Sequence, residues 1–298
     1  MCGIVGLLLK EKSLRPRLGE LMVPMLVGMT ERGPDSSGMA VFTDEATGGG
    51  RKLSLYCARP DFDWRGFEAA ALGSLGNARC EIKVNHCILS TSQDPDSARE
   101  WLTKEYPEVR ILSVGRRIDL YKDLGLPAEI ASRYGFGNLQ GTHLVGHTRM
   151  ATESAVTVEN AHPYTAGEDW CLVHNGSLAN PGSLRRKLEK LGERFESDCD
   201  TEGACRYLHW RLGSGDTLET ALEHAFDDFD GFFTFLMGTR DKLALVRDPF
   251  ACKPAVVAET DEYVAIATEF RSLAHLPDIK QATVFEPKPA QVYAWSVQ

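Results

Sequence analysis

The sequence predicts an α+β fold in which antiparallel sheets stack on one another. Short apolar runs typical of strands outnumber the helical segments, and from residue 231 onwards such runs follow one another without a clear helical segment between them. Parallel strands need a long crossover, usually a helix, so this order favours antiparallel pairing. The 298 residues, 43% of them hydrophobic, are enough for a sizeable core.

The N-terminal segment contains two apolar runs that predict buried strands, GIVGLLL at 3–9 and GMAVFT at 38–43. Between them, residues 13–30 carry leucine and methionine at helical spacing. The stretch RGPDSS at 32–37 is rich in turn formers and leads into the second strand. A strand, a helix and a second strand are therefore expected here.

A different pattern follows the glycines at 48–50. Strand-like and helical segments alternate in the order β-α-β-α-β between about 51 and 121, and Asp94 with Pro95 opens the second helix. This order predicts a small α+β insertion at about 51–140, for which a ferredoxin-like arrangement is one possibility. We interpret the chain as one domain, 1–298, with this subdomain embedded in it.

The main domain resumes with two strand-like segments, GTHLVGHTRMAT at 141–152 and CLVHNGSL at 171–178. Helical patterns then cover about 182–192 and begin again near Asp200 and near Asp216. Six strand-like segments complete the chain: GFFTFLMG, KLALVRD, AVVAE, YVAIAT, ATVFE and AQVYAW.

The charge balance disfavours nucleic acid and membrane surfaces as partners. There are 33 basic and 42 acidic residues, a net charge of -9, and no dense lysine or arginine run. No apolar stretch approaches the ~20 residues of a membrane span, and the N-terminus lacks the basic region of a secretory signal, so we expect a cytoplasmic protein. Its eight scattered cysteines are expected to be reduced. Cys80 and Cys87 lack the spacing of a zinc site, so no metal is expected.

Cys2 is the most informative single residue. Removal of Met1 would leave a thiol and a free α-amine on the same residue. An α-amine has a pKa of about 7.7–8.0, which suits it to accept the thiol proton near neutral pH, as in N-terminal nucleophile enzymes. A cysteine near the start of a chain also occurs by chance, so Cys2 needs further residues to support a catalytic role.

Four later segments supply that context. Together with the first, the five segments are MCGIVG at the start, RGPDSSG at 32–38, GHTRMAT at 146–152, HNG at 174–176 and DTE at 200–202. In this order they resemble the class II glutamine amidotransferases, a family that includes the glutaminase domains of glucosamine-6-phosphate synthase, asparagine synthetase and glutamate synthase. The later RDPFACKPAVV (247–257) and AIATEF (265–270) resemble the family's following strands, so the likeness covers nearly the whole chain outside the insertion.

The resemblance implies the N-terminal nucleophile hydrolase fold, an αββα sandwich of two antiparallel sheets, here with the α+β insertion. It also implies that Cys2 attacks the side-chain amide of glutamine, forms a γ-glutamyl thioester and releases ammonia. Asn175 and Gly176 would donate to the developing oxyanion. Taken alone, HNG would also make a turn at the end of a strand.

The resemblance assigns the amino-acid end of glutamine to other residues. Arg149 would grip the α-carboxylate with its planar guanidinium, although most arginines lie on the surface. Asp200 would receive the α-ammonium, and an aspartate at this place is also a good helix N-cap. Thr148 and Thr152 flank the arginine and could donate to the same carboxylate.

Two further residues are supporting candidates. Arg32 resembles a loop arginine that organises the site around the nucleophile, and its alternative is a turn residue. His162 resembles a family position associated with communication toward the acceptor side, while a lone histidine is more often structural. A separate acid/base cluster could be formed by Asp35, His147 and His174. These residues lie in motifs whose roles are already explained without such a cluster.

The chain ends soon after the glutaminase motifs, so the acceptor chemistry is expected on another polypeptide. The length and the insertion resemble the small subunit of N-methylglutamate synthase or of a related glutamate-synthase-like complex. That resemblance implies a partner synthase subunit with FMN and iron–sulfur centres, and no cofactor on this chain. The insertion would dock this partner or cover a sheet edge.

Two other functions remain open at the level of sequence. The chain could be a free-standing amidase of the same fold, which Arg149 and Asp200 disfavour because together they match a free amino-acid head group. It could also be a non-catalytic binding module, which the presence of Cys2, Asn175 and Gly176 disfavours.

Overall fold

The computed structural model describes residues 2–46, 49–151 and 155–298. These ranges form the following strands: β1 Gly3–Leu9, β2 Ser36–Phe42, β3 Arg51–Cys57, β4 Arg79–Lys83, β5 His86–Thr91, β6 Val109–Gly115, β7 Ile118–Leu124, β8 His143–Arg149, β9 Tyr164–Thr165, β10 Trp170–Leu178, β11 Gly231–Thr239, β12 Lys242–Arg247, β13 Val256–Glu259, β14 Tyr263–Ala267, β15 Thr283–Phe285 and β16 Val292–Ser296. The α-helices are α1 Leu18–Val27, α2 Trp64–Leu75, α3 Pro95–Glu105, α4 Pro127–Arg133, α5 Pro181–Lys190, α6 Asp200–Gly213 and α7 Leu218–Asp228. Short 3-10 helices cover Lys12–Arg17, Thr30–Arg32, Phe136–Asn138, Phe270–Ser272 and Ile279–Gln281.

Two antiparallel sheets form the body of the protein. The first has seven strands in the order β15-β13-β14-β1-β8-β2-β7, and the second has five in the order β16-β12-β11-β10-β9. Apolar side chains from both sheets, among them Leu8, Val145 and Leu236, form the core between them. The helix α1 covers the outer face of the first sheet, and α6 and α7 cover the second. The predicted αββα sandwich is confirmed.

The inserted segment forms a third sheet. Its four strands follow the order β4-β5-β3-β6, with α2 and α3 packed on one face around Leu55, Phe67 and Leu102. The chain order βαββαβ and the antiparallel neighbours are those of a ferredoxin-like unit. One predicted strand is in fact the hairpin of β4 and β5, so the unit has four strands where the sequence indicated three. The expected opening of α3 is confirmed, since Asp94 accepts hydrogen bonds from the backbone of Asp96 (2.9 Å) and Ser97 (3.2 Å).

The separate sheet ends at Gly115, although the insertion was expected to extend to about 140. β7 instead pairs with β2 at the edge of the seven-stranded sheet, and α4 packs beside it. β7 therefore lies between the sandwich and the inserted sheet.

We call the contact between the inserted sheet and β7 the seam, formed by Lys52, Ser54 and His86 against Asp119 and Lys122. Lys52 Nζ lies 3.1 Å from Asp119 Oδ1, and both side chains are buried. The Ser54 hydroxyl accepts from the backbone of Leu120 (2.9 Å). Both ring nitrogens of His86 have partners: the Asn85 side chain at 2.8 Å and the Lys122 amide at 3.4 Å.

In the described part of the chain, no helix combines the length and apolar character needed to cross a membrane.

Candidate active site

The site lies at one end of the sandwich, where both sheets contribute strand ends. Cys2 directly precedes β1, which is paired with β14 on one side and β8 on the other. The half-buried Cys2 thiol lies 3.9 Å from the carbonyl oxygen of Met150, just past the end of β8. Pairing on both sides fixes the strand that carries Cys2 at the centre of the larger sheet.

Arg32 links the backbone of Cys2 to Glu269, in the segment that follows β14. Its Nε donates to the Cys2 carbonyl oxygen (3.2 Å), and its NH1 donates to Glu269 Oε1 (2.6 Å). Glu269 also pairs with Arg271. The hydrogen bond from Arg32 is the largest cause of a lowered Glu269 pKa. Arg32 thus holds the backbone beside the thiol.

Asn175 and Gly176 come from β10 in the opposite sheet. The Asn175 side chain is buried, and its Nδ2 donates to the Cys2 carbonyl oxygen (3.1 Å). An amide nitrogen carries two protons, so a second donor remains. A Cβ at Gly176 would lie 2.1 Å from the Phe232 carbonyl oxygen, so this position admits only glycine without a backbone shift.

Arg149 ends β8 and is 5% exposed. Its NH1 donates to the Ala155 carbonyl oxygen (3.3 Å), across the segment 152–154. The neighbouring Thr148 is fully buried and its hydroxyl donates to the Met29 carbonyl oxygen (3.2 Å). This contact uses the hydroxyl's one proton, so we do not assign Thr148 to the substrate. Thr152, the other predicted threonine, lies outside the described residues.

Asp200 is the first residue of α6 and not its N-cap, a place taken by Cys199. Its Oδ2 accepts the backbone N–H of Leu178 (2.9 Å) at the end of β10. Its Oδ1 lies within reach of the Thr201 hydroxyl (3.3 Å) and the Cys199 thiol (3.6 Å). The carboxylate therefore bridges α6 and the strand that carries Asn175.

Three buried histidines lie behind this carboxylate. His162 Nε2 and His174 Nδ1 both approach the Thr201 hydroxyl, at 2.9 and 3.0 Å. His147 Nε2 lies 3.0 Å from the His174 carbonyl oxygen, and its ring stacks on His162 with centroids 4.0 Å apart. We call His147, His162 and His174 the histidine cluster.

Two of the rings have a buried nitrogen without a hydrogen-bond partner, His147 Nδ1 and His162 Nδ1, whereas His174 also has a contact with the backbone of Phe232. Burial lowers the pKa of His147 to about 3 and that of His162 well below its usual value. Burial likewise lowers the pKa of His174. The three rings are therefore neutral near pH 7.

The fold brings most of the predicted residues together from distant parts of the chain. Arg32 and Asn175 both contact Cys2, and Arg149 directly precedes Met150, whose carbonyl faces the thiol. His147, His162 and His174 form a cluster, but Asp35 is not part of it and accepts from the Ala151 backbone (2.8 Å). Thr201 was not singled out from the sequence, although it stands inside the DTE segment. Within the described ranges, no three His, Cys, Asp or Glu side chains are grouped as metal ligands would be.

Comparisons with known proteins bear on the family of the chain. A family model described as a glutamine amidotransferase domain matches residues 147–275. The chain is 46% identical over its whole length to the glutamine amidotransferase-like protein GlxB of Rhizobium meliloti, covering 99% of that protein. An amidophosphoribosyltransferase of Methanocaldococcus jannaschii is 30% identical over 189 residues, which are 60% of this chain and 40% of that one.

Among solved structures, glutamine phosphoribosylpyrophosphate amidotransferase from B. subtilis has a TM-score of 0.62 at 17% identity, over 98% of this chain and 47% of its own. This chain thus spans less than half the length of either amidophosphoribosyltransferase.

The sandwich of two antiparallel sheets, with a cysteine at the head of a central strand, has the fold of that amidotransferase structure. By its similarity to the Rhizobium meliloti relative, this chain belongs to the class II glutamine amidotransferase family.

Proposed function

We propose that this protein hydrolyses the side-chain amide of glutamine at Cys2 and passes the ammonia to a separate synthase subunit. The proposed hydrolysis at Cys2 rests on one observation, the hydrogen bond of Asn175 Nδ2 to the Cys2 carbonyl oxygen (3.1 Å). It joins a donor on one sheet to the nucleophile's residue on the other, which is the arrangement that acyl transfer needs.

The reaction begins when the Cys2 amine, freed by removal of Met1, takes the thiol proton. The sulfur attacks the amide carbon, and the negative charge on oxygen is stabilised by the second N–H of Asn175 and the backbone N–H of Gly176. The C–N bond then breaks, the protonated amine returns its proton to the leaving nitrogen, and ammonia departs. Water attacks the thioester, releasing glutamate and restoring the thiol.

Two charged side chains recognise the amino-acid end of the substrate. Arg149 lies beside Met150, whose carbonyl faces the thiol, and takes the α-carboxylate. Asp200 accepts a hydrogen bond from the backbone of Leu178, which ends β10 three residues after Asn175, and takes the α-ammonium. This pair favours free glutamine over other amides.

The test is ammonia release by protein that begins at Cys2, compared with a form that retains Met1. We expect turnover of glutamine by the first form only, and a γ-glutamyl adduct on Cys2 in the mass of acid-quenched enzyme. Equal rates for both forms would contradict the N-terminal mechanism. Turnover of N-acetylglutamine at the rate of glutamine would indicate a free-standing amidase, and no turnover of any amide would indicate a binding module.

The partner we propose is the FMN- and iron–sulfur-containing synthase subunit of a glutamate-synthase-like complex, such as N-methylglutamate synthase. Support comes from exposed apolar side chains on the inserted unit: Leu72 is 56% exposed, Ile82 37% and Val84 61%. Ile82 lies on β4, an edge strand of the inserted sheet, and Val84 lies in the turn that follows it. An apolar, unpaired edge is a site for pairing with another chain.

Co-purification with the endogenous partner tests this docking site. Ile82→Lys with Val84→Glu should abolish recovery of the synthase subunit and leave glutamine hydrolysis by the isolated chain unchanged. Val284→Glu, at an exposed apolar residue on the edge strand β15, is the matched control and should retain the complex. Complex formation that survives the double substitution would exclude β4 as the dock.

A further inference from the structure

The Thr201 hydroxyl is close to three polar groups, and it has only one proton to donate. Asp200 Oδ1 lies at 3.3 Å, His162 Nε2 at 2.9 Å and His174 Nδ1 at 3.0 Å. An ionised carboxylate only accepts hydrogen bonds, so the contact with Asp200 requires the hydroxyl to donate its proton to Oδ1. With that proton on Oδ1, His162 Nε2 donates to a lone pair of the hydroxyl oxygen.

This assignment agrees with the remaining contacts of His162. A proton on His162 Nε2 leaves a lone pair on Nδ1 of the neutral ring, and that nitrogen is buried without a hydrogen-bond partner. His147 follows the same rule, since Nε2 faces the His174 carbonyl oxygen and must donate. The hydrogen bond from His162 to Thr201 therefore points toward Asp200.

We propose that Thr201 is a positioning residue that fixes the Asp200 carboxylate for the α-ammonium of glutamine, with His162 setting the direction of its hydroxyl. The role rests on the proposed glutaminase function. Thr201 is 1% exposed, so it acts through Asp200. The Leu178 amide holds Oδ2 and the Thr201 hydroxyl holds Oδ1, which together fix the rotation of the carboxylate.

The experiment compares glutamine with 4-carbamoylbutanoate, which has the same amide and carboxylate but no α-ammonium. Thr201→Val keeps the shape of the side chain and removes the hydroxyl. We expect its KM for glutamine to rise about tenfold, the effect of one hydrogen bond to a charged group. The kcat/KM for 4-carbamoylbutanoate should stay within about twofold of the wild type, and Thr201→Ser should restore the KM for glutamine.

Thr142→Val is the matched control. Thr142 is also buried, and its hydroxyl contacts the His143 ring (2.9 Å) just before the start of β8, at the end opposite Arg149. The Thr142→Val variant should lose about as much stability as Thr201→Val, and its kinetic constants for both substrates should stay at the wild-type values. In an Asp200→Asn background, Thr201→Val should add no further rise in KM, because the group it positions is absent.

An unchanged KM for glutamine in Thr201→Val, or an equal loss with both substrates, would overturn the proposal. If Thr201→Val does not fold, His162→Gln should raise the KM for glutamine by a smaller factor and leave the kcat/KM for 4-carbamoylbutanoate near the wild-type value. If His162→Gln does not show this difference between the two substrates, the proposal is overturned as well. Failure of the wild type to release ammonia from glutamine is a separate result that contradicts the proposed function itself.

Discussion

The seam and the active site both bury polar side chains, but these side chains differ in how completely they are paired or hydrogen-bonded. At the seam, Lys52 pairs with Asp119, and both nitrogens of His86 have partners. In the histidine cluster, His147 Nδ1 and His162 Nδ1 are buried without a hydrogen-bond partner. Buried polar groups are normally satisfied, and exceptions call for a specific reason. The difference is expected if the seam serves stability and the cluster serves the proposed placement of Asp200.

The largest effect is expected at the nucleophile. Cys2→Ala should lower kcat for glutamine by about 10⁴-fold or more, because no other group can form the thioester. Its midpoint of urea unfolding should stay near that of the wild type, since the thiol is half-buried and its hydrogen bond to the Met150 carbonyl oxygen is long (3.9 Å). Steady-state ammonia release and urea unfolding measure the two quantities. Residual activity above a tenth of the wild type would remove Cys2 from the mechanism.

The seam should show the opposite behaviour. Lys52→Met leaves the buried Asp119 carboxylate without its ammonium, which should lower the free energy of unfolding by about 3–5 kcal/mol. Burial already raises the pKa of Asp119. The kcat and KM of the folded protein should not change.

The control for the seam is the double variant Lys52→Met with Asp119→Leu, which removes both charges and should recover most of the lost stability. Urea unfolding and glutamine kinetics on the same samples measure both effects. A change in KM with Lys52→Met would show that the seam and the site are coupled.

A smaller effect is expected at the substrate's carboxylate. Arg149→Lys keeps the charge but not the two-pronged contact, so kcat/KM for glutamine should fall about 10- to 100-fold. The loss should lie in KM more than in kcat. Arg117→Lys is the control, because that guanidinium donates to the Thr43 carbonyl at the far end of β2. Unchanged kinetics in Arg149→Lys would place the carboxylate elsewhere.

The smallest effect concerns pH and is common to both regions. Burial lowers the pKa of His86 at the seam to about 4 and that of His147 in the cluster to about 3. The unfolded chain takes up these protons below about pH 6.5 while the native state does not, so stability is lost as pH falls. For each such histidine, the free energy of unfolding decreases by about 1.4 kcal/mol as the pH falls from 7.5 to 5.5.

His86→Gln should therefore reduce the loss of unfolding free energy over this pH interval by about 1.4 kcal/mol. The measurement is urea unfolding at both pH values. An identical loss in His86→Gln and the wild type would show that His86 is not neutral in the native state.

Sequence patterns located most elements because their hydrophobic periodicity matches their burial. β7 was missed, since Asp119, Lys122 and Asp123 give it the composition of an exposed segment. All three are nevertheless buried, because the strand lies between the sandwich and the inserted sheet. A strand whose polar groups are satisfied by a second sheet cannot be recognised from its own residues.

The site was located through five ordered motifs, and the structure added what motifs do not encode. The sequence named Asp200 and His162 but gave no sign that one hydroxyl connects them. The partners of Thr201 lie 39 and 27 residues away along the chain, and only the fold brings them together. Contacts of this kind follow from packing and not from residue spacing.

The central place of β1 also has a consequence for biosynthesis. Its partners are β8 and β14, and the register pairs Val5 with Ala267, near the other end of the chain. At roughly 5–20 residues per second, this strand waits on the order of tens of seconds before its second neighbour leaves the ribosome. The proposed mechanism requires removal of Met1, and during that interval an aminopeptidase can act on the peptide bond before Cys2. Maturation of the nucleophile would then precede the closing of the sheet around it.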